Sequence, residues 1–260
     1  IFEVNLIVQW VIDVNKIELL NKNNIPVHIY EYHKGLWFGY YRNEAIKKSH
    51  WEILVWIDDD ERTKNDQWLF NLTRPIIEWL YSVVTAWTDI ELWKWYWTDC
   101  ISYLWYPWWS VIWFDKMRTV NNDWTTEHLC TGNFSFHKTI LNTVSWFDES
   151  LKSWAEDVAF ATVLGEKWIK IYREPSATIF HIQRSWIINF CKWHLLRWKS
   201  VYEFIKLWLV TGWHKKDKIR SVKHILFDRF FTRYVVGIWI LFGLQYLFTV
   251  IGYWYKRLSL

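Results

Sequence analysis

A chain of 260 residues can bury a sizeable core and fits one catalytic domain with a short appendage. Its formal net charge of +4 is mild and spread along the chain, which gives no reason to expect a nucleic-acid partner. Cys100, Cys130 and Cys191 are too few and too far apart for a disulfide framework or a cysteine metal cluster, and they suit a reducing compartment.

In chain order, Val4 to Val8 reads as a buried strand, Lys16 to Asn21 as a helical stretch and Val27 to Tyr32 as a second strand. Arg42 to Ser49 reads as a helix, and Glu52 to Ile57 as a strand running into the acidic triplet Asp58-Asp59-Asp60. Gln67 to Thr85 reads as mainly helical, with Pro75 as a break or first-turn residue. Residues 87–130 show no clear period, beyond a dense Trp-Tyr-Trp pattern. Phe134 to Phe136 is strand-like, Ala155 to Leu164 helical, and Ile169 to Tyr172 a further strand. This alternation predicts an α/β catalytic domain over residues 1–185 with a mostly parallel sheet flanked by helices. In such sheets ligands bind beyond the carboxyl ends of the strands, where the acidic triplet falls.

Residues 186–232 turn aromatic and basic and are expected to be helical. In residues 233–257, the run from Tyr234 to Tyr255 carries no charge and would extend about 33 Å as a helix, enough for a hydrocarbon core of about 30 Å. Lys215, Lys216, Lys218, Arg220, Lys223, Arg229 and Arg233 precede it, a placement that suits an anionic membrane surface. A C-terminal membrane-associated helix is the expectation, and a buried amphipathic helix the alternative.

Tryptophan is anomalous: the chain has 25 Trp and only 8 Gly, where average usage puts glycine at about 7% of residues. Many Trp stand where a turn wants glycine, as at Trp37, Trp51, Trp108, Trp109, Trp146 and Trp154. The expectation is that the source reads UGA as glycine and that these codons have been written as Trp. Trp68 is the first candidate for a genuine tryptophan. The alternative is a truly Trp-rich protein that stacks sugars or sits at a membrane interface.

An acidic triplet after an apolar strand can gather carboxylates at a strand end, a set of oxygen ligands suited to Mg²⁺ or Mn²⁺. A solvated acidic turn is the plain alternative. Glu156-Asp157, at the start of a predicted helix, can offer a base or simply suit the helix dipole. His181 follows a strand-like stretch and is either structural or a nitrogen ligand.

The ordered set Gly35-Leu36-Trp37, Arg42-Asn43, Asp58-Asp59-Asp60, Thr131-Gly132-Asn133, Trp146-Phe147-Asp148-Glu149, Glu156-Asp157 and His181 resembles family 2 glycosyltransferases of the GT-A fold, over about residues 4–185. Reading Trp37 and Trp146 as glycine improves the match. The resemblance implies a GT-A (Rossmann-like) sheet and a metal held by Asp58, Asp60 and His181. It implies Asp157 as catalytic base, with Glu156, Gly132 and Asn133 meeting the acceptor. Arg42, Asn43, Asp13 and Asp59 would contact the nucleotide-sugar donor, a packing role at the helix start being the alternative for Arg42 and Asn43. The expected activity is metal-dependent, inverting sugar transfer to a cell-envelope glycan or lipid-linked acceptor, at the cytoplasmic face of the cytoplasmic membrane.

Two departures stand out. The opening strand of the family is missing before Ile1, so the gene is expected to extend upstream. Gln9 stands where the family has the first acid of an Asp-x-x-x-Asp stretch ending here at Asp13. Rival readings are a non-catalytic Trp-rich binding protein and a degenerate, inactive transferase.

Overall fold

The structure is a computed structural model that describes residues 2–8, 25–32, 38–89, 94–105, 120–151, 156–181, 186–196 and 233–258. The expected helix at 16–21, Gln9, Asp13, the segment 33–37 and most of 186–232 lie outside them.

Strands β1 (Val4–Val8) and β2 (Val27–Glu31) pair in parallel, Val4 opposite Val27. Helix α1 (Phe38–Lys48) follows, starting a turn earlier than its sequence pattern indicated. Next come β3 (Ile53–Ile57), β4 (Glu61–Thr63), α2 (Trp68–Ile77), β5 (Val83–Thr85) and β6 (Thr88–Asp89). Helix α3 (Tyr96–Trp105), β7 (Thr125–Thr126), β8 (Asn133–His137) and a 3₁₀ turn (Lys138–Asn142) lead to α4 (Glu156–Glu166). Strands β9 (Ile171–Arg173) and β10 (Ile179–His181) precede helices α5 (Ile187–Leu196) and α6 (Val235–Leu258).

The five-stranded sheet has the order β3-β8-β5-β9-β7, and a three-stranded sheet the order β4-β10-β6. Among the described residues only β5–β9, β6–β10 and β1–β2 are parallel pairs, so the sheet is mixed and not mostly parallel as expected. The reason is β8, which runs back between β3 and β5 antiparallel to both. Two local expectations are also corrected. The stretch 67–85 is a helix with Pro75 in its last turn followed by β5, and the unassigned stretch 87–130 contains α3.

Alternation within the strands explains the layers. Leu54, Trp56, Phe134, Phe136 and Val83 face a core closed by Ile46 of α1 and Phe160 and Leu164 of α4. Ile53, Val55 and Val84 face α2 through Leu72 and Ile76. Helices α3, α5 and α6 form a separate cluster around Cys100, Ile101, Phe190, Ile238 and Leu241.

Trp79, Trp124 and Trp168 have φ of 58°, 60° and 58°, and among the described residues no other non-glycine has a positive φ. Trp79 follows the C-cap Glu78 of α2, with Trp79 N–H donating to the Ile76 carbonyl and Leu80 N–H to that of Pro75. Trp168 repeats this after α4, with Trp168 N–H donating to Gly165 and Ile169 N–H to Leu164. Both are Schellman motifs, whose left-handed residue is usually glycine. Trp124 closes a hairpin loop in which its N–H donates to the Asn121 carbonyl and Asn121 N–H to that of Thr125, the glycine position of a bulged three-residue loop. Trp68 is different: it is buried and its indole N–H donates to Asn133 Oδ1 at 2.9 Å. Of the six positions singled out from sequence, 37, 108, 109 and 154 lie outside the described residues, and Trp51 and Trp146 are exposed without a positive φ.

Candidate active site

Strand β3 delivers the acidic turn at its carboxyl end. Glu61 N–H donates to the Asp58 carbonyl at 3.2 Å, which places Asp59 and Asp60 at the corners of the turn. Strand β10 lies antiparallel to β4 with His181 opposite Glu61, and this register brings His181 Nε2 to 3.1 Å from Asp60 Oδ2. Strand β8 lies beside β3 with Asn133 opposite Ile57, so Thr131 and Gly132 border the same turn. An ideal Cβ on Gly132 would fall 2.5 and 2.6 Å from the two Glu61 carboxylate oxygens.

The helices supply the rest. Buried Arg42 of α1 lies 3.4 Å through Nε from Glu156 Oε1 and donates from Nη1 to the Thr131 carbonyl at 3.2 Å. Asp157 opens α4 beside Glu156 and accepts from its neighbour Val158 N–H at 2.7 Å. Cys130 joins the two halves: its buried thiol is pushed up by desolvation first, then by Glu61, Asp58 and Asp157.

Electrostatics set this place apart. Asp58 keeps part of its surface open, yet protein atoms crowd its carboxyl; that desolvation raises its pKa, Asp60 and Asp59 add to the rise, and Arg42 opposes it. Glu61 is pushed up to about 9, by desolvation first and then by Asp58 and Asp60. Glu156 is raised to about 7 by burial, against the pull of Arg42 and with a push from Asp157. Carboxylates thus outnumber the cations that serve them. Among the described residues no three acidic, histidine or cysteine side chains are grouped closely enough to hold a metal by themselves. Asp60 and His181 do converge, and the excess of negative charge beside them suits a divalent cation with oxygen-rich ligation.

Several expected site residues turn out to brace the site. Asn133 is fully buried; its amide donates to the Trp87 and Ala177 carbonyls and accepts from Trp68, so it does not face an acceptor. Asn43 donates to the Phe147 carbonyl and Glu149 Oε1 and accepts from Phe147 N–H, which fixes the 147–149 segment on α1. Gly39 helps: a Cβ there would meet the Asp148 carbonyl oxygen at 2.8 Å. Arg42 is engaged by Glu156 and the Thr131 carbonyl, and Glu156 is nearly closed to solvent. Asp59 is exposed at the turn, while Asp13 lies outside the described residues. The sequence reading passed over Glu61, although it extends the acidic triplet to a run of four.

No protein-family model matches the chain, and no curated protein sequence matches it. Among solved structures, its fold is shared with the mannosyltransferase PcManGT from Pyrobaculum calidifontis, solved in complex with GDP-Man and Mn²⁺. The TM-score is 0.63 at 10% identity, covering 98% of this chain and 78% of that one. GalNAc-T7, solved with UDP, GalNAc and Mn²⁺, is similar at 14% identity and a TM-score of 0.49, over 69% of this chain and 37% of its own length. S. aureus TarS 1-349 is similar at 16% identity and a TM-score of 0.44, over 89% and 64%. These last two are too distant in shape to carry weight. The fold is thus one that this chain shares with a mannosyltransferase, and here it carries an acidic turn and a histidine at strand ends.

Proposed function

We propose that this chain is a metal-dependent glycosyltransferase of the family 2 kind, which transfers sugar from a nucleotide-sugar donor with inversion. The observation that carries the reading is the Asp60–His181 approach at the end of β3, on a fold shared with a mannosyltransferase solved with GDP-Man and Mn²⁺. Asp60 and His181, with Asp58 beside them, would hold Mg²⁺ or Mn²⁺, whose positive charge offsets that of a departing nucleoside diphosphate. Arg42 balances the acids from behind and keeps Glu156 in place. Asp157 takes the proton of the acceptor hydroxyl as that oxygen bonds to the anomeric carbon and the sugar–phosphate bond breaks.

The acceptor belongs with the membrane. Helix α6 is long and apolar enough to cross one over Val235–Gly252. Beyond its contacts with α3 and α5 it exposes Val236, Trp239, Ile240, Tyr246, Leu247, Ile251 and Trp254, an apolar stripe at helical spacing. A lipid-linked or cell-envelope acceptor at the cytoplasmic face fits this stripe and the free thiols Cys100, Cys130 and Cys191.

The test separates metal site from base, using the purified chain with a panel of UDP- and GDP-sugars. Asp60→Asn is expected to weaken Mn²⁺-dependent donor binding by about tenfold or more. Asp157→Asn is expected to leave donor binding nearly intact and to lower turnover by about 10²–10⁴-fold. If Asp157→Asn abolishes donor binding while turnover at saturation survives, Asp157 is not the base. If neither variant changes either quantity, the chain is a binding protein and not this enzyme.

A further inference from the structure

We infer that Glu61 is a positioning residue of the acidic turn, seated in the space that Gly132 leaves empty, and that this pair sets the geometry with which the turn holds a divalent cation. The inference rests on the metal-dependent reading above and adds to it two residues with a joint role.

The geometry is reciprocal. Glu61 N–H donates to the Asp58 carbonyl, and Asp58 N–H donates back to Glu61 Oε2 at 3.1 Å. One residue therefore closes the turn twice, once through its backbone and once through its side chain, much as a capping box closes a helix start. Asp60 lies inside this loop, and its carboxylate points at His181. The strand register that aligns His181 also passes through Glu61, its partner across β4 and β10. The Glu61 side chain thus fixes the turn that carries Asp60, while its backbone holds the strand that carries His181.

Gly132 supplies the seat. Both Glu61 oxygens and Cδ would lie within 2.8 Å of a Cβ at this position, so an added methyl would push the flexible carboxylate out of its seat. No positive φ is involved, so the requirement is for space alone. Gly132 was expected to meet the acceptor; its surroundings give it a task inside the protein.

The test reads Mn²⁺ affinity of the full chain, without donor or acceptor, by electron paramagnetic resonance. Glu61→Ala, which removes the acceptor for Asp58 N–H, is expected to weaken Mn²⁺ binding by about 10–100-fold, the usual effect of losing a residue that orients a ligand. Glu61→Gln keeps an oxygen in the same place and is expected to stay within about threefold of the native chain. Gly132→Ala, which evicts the carboxylate, should reproduce the Glu61→Ala loss, and the double variant should lose no more than either alone. A Glu61→Gln loss as large as that of Glu61→Ala would make Glu61 a direct ligand and overturn the inference. So would additive losses in the double variant, or an unchanged affinity in Glu61→Ala. Should Glu61→Ala fail to fold, Glu61→Gln and Gly132→Ala still decide, since Gly132→Ala without loss refutes the pairing. Asp60→Asn runs in parallel: if it leaves Mn²⁺ affinity unchanged, the metal reading itself has failed, whatever Glu61 does.

Discussion

At the scale of the residue, the tryptophans divide into two physical kinds. Trp68 fills the core beside Leu72 and gives its indole N–H to Asn133, so both its bulk and its donor are used. Trp79, Trp124 and Trp168 sit in the left-handed region with exposures of 79%, 46% and 92%; Trp79 meets the His137 ring and Trp124 the Arg173 guanidinium, but at all three the backbone bears a strain that glycine would not. Replacing each of these three by glycine is expected to stabilise the chain by about 1 kcal/mol per site, read as a rise in thermal midpoint. Trp68→Ala should cost about 3–5 kcal/mol. The corresponding codons are expected to be UGA at 79, 124 and 168 and UGG at 68. UGG at the three left-handed positions would end the recoding account.

At the scale of the element, helices α1 and α4 meet through one buried ion pair, Arg42 with Glu156. Glu156 stands at the start of α4, where the helix dipole favours a carboxylate, yet loss of solvent outweighs both dipole and guanidinium and raises it to about 7. The folded value exceeds the unfolded one, so the protonated form favours folding. Its contribution is complete below about pH 4.5 and is lost as pH rises through about 7. The thermal midpoint of the native chain, relative to Glu156→Gln, is expected to fall across that window. A difference that stays level, or grows with pH, would show that Glu156 is ionised throughout. The difference between variants is the quantity to read, because Asp58 and Glu61 shift in the same direction.

At the scale of the whole molecule, α6 is both a packed element and an exposed one. Its first turns dock on α3, where Tyr234 donates to Asp99 Oδ2 at 2.7 Å and Gly237 N–H to the Tyr96 hydroxyl at 3.1 Å. Truncation before α6 would uncover Cys100, Ile101 and Phe190 and confound unfolding with release from a membrane. Substitution of the exposed stripe avoids this. Ile240→Ser, Leu247→Ser and Ile251→Ser together are expected to lower binding to vesicles of anionic phospholipid by at least about a hundredfold, since each buried side chain contributes about 1.5–3 kcal/mol. Thermal stability in solution should hardly change. Unaltered co-sedimentation would remove α6 as the membrane contact.

Local chemistry was legible in the sequence wherever a short pattern suffices. An apolar run of five ending in aspartates specifies a strand with acids at its carboxyl end, and an uncharged apolar run of about 22 residues, long enough to cross a hydrocarbon core, specifies α6 in spite of its β-branched, aromatic and glycine residues. The glycine-like positions of tryptophan could be suspected, but which of them strain the backbone depended on where α2 and α4 end and where the loop before β7 turns. Strand direction was not legible: nothing local in Asn133–His137 says that it returns between β3 and β5, because its pairing is decided by partners about 50 and 80 residues away. The same distance hid the role of Asn133, which the Trp68 indole and two carbonyls enclose, and left open the choice between ligand contact and helix-start packing for Asn43 and Arg42, which hold the 147–149 segment and Glu156. Glu61 was visible as the fourth acid of a run. Only the tertiary structure, by bringing Gly132 of β8's approach against it, gave that acid a place of its own.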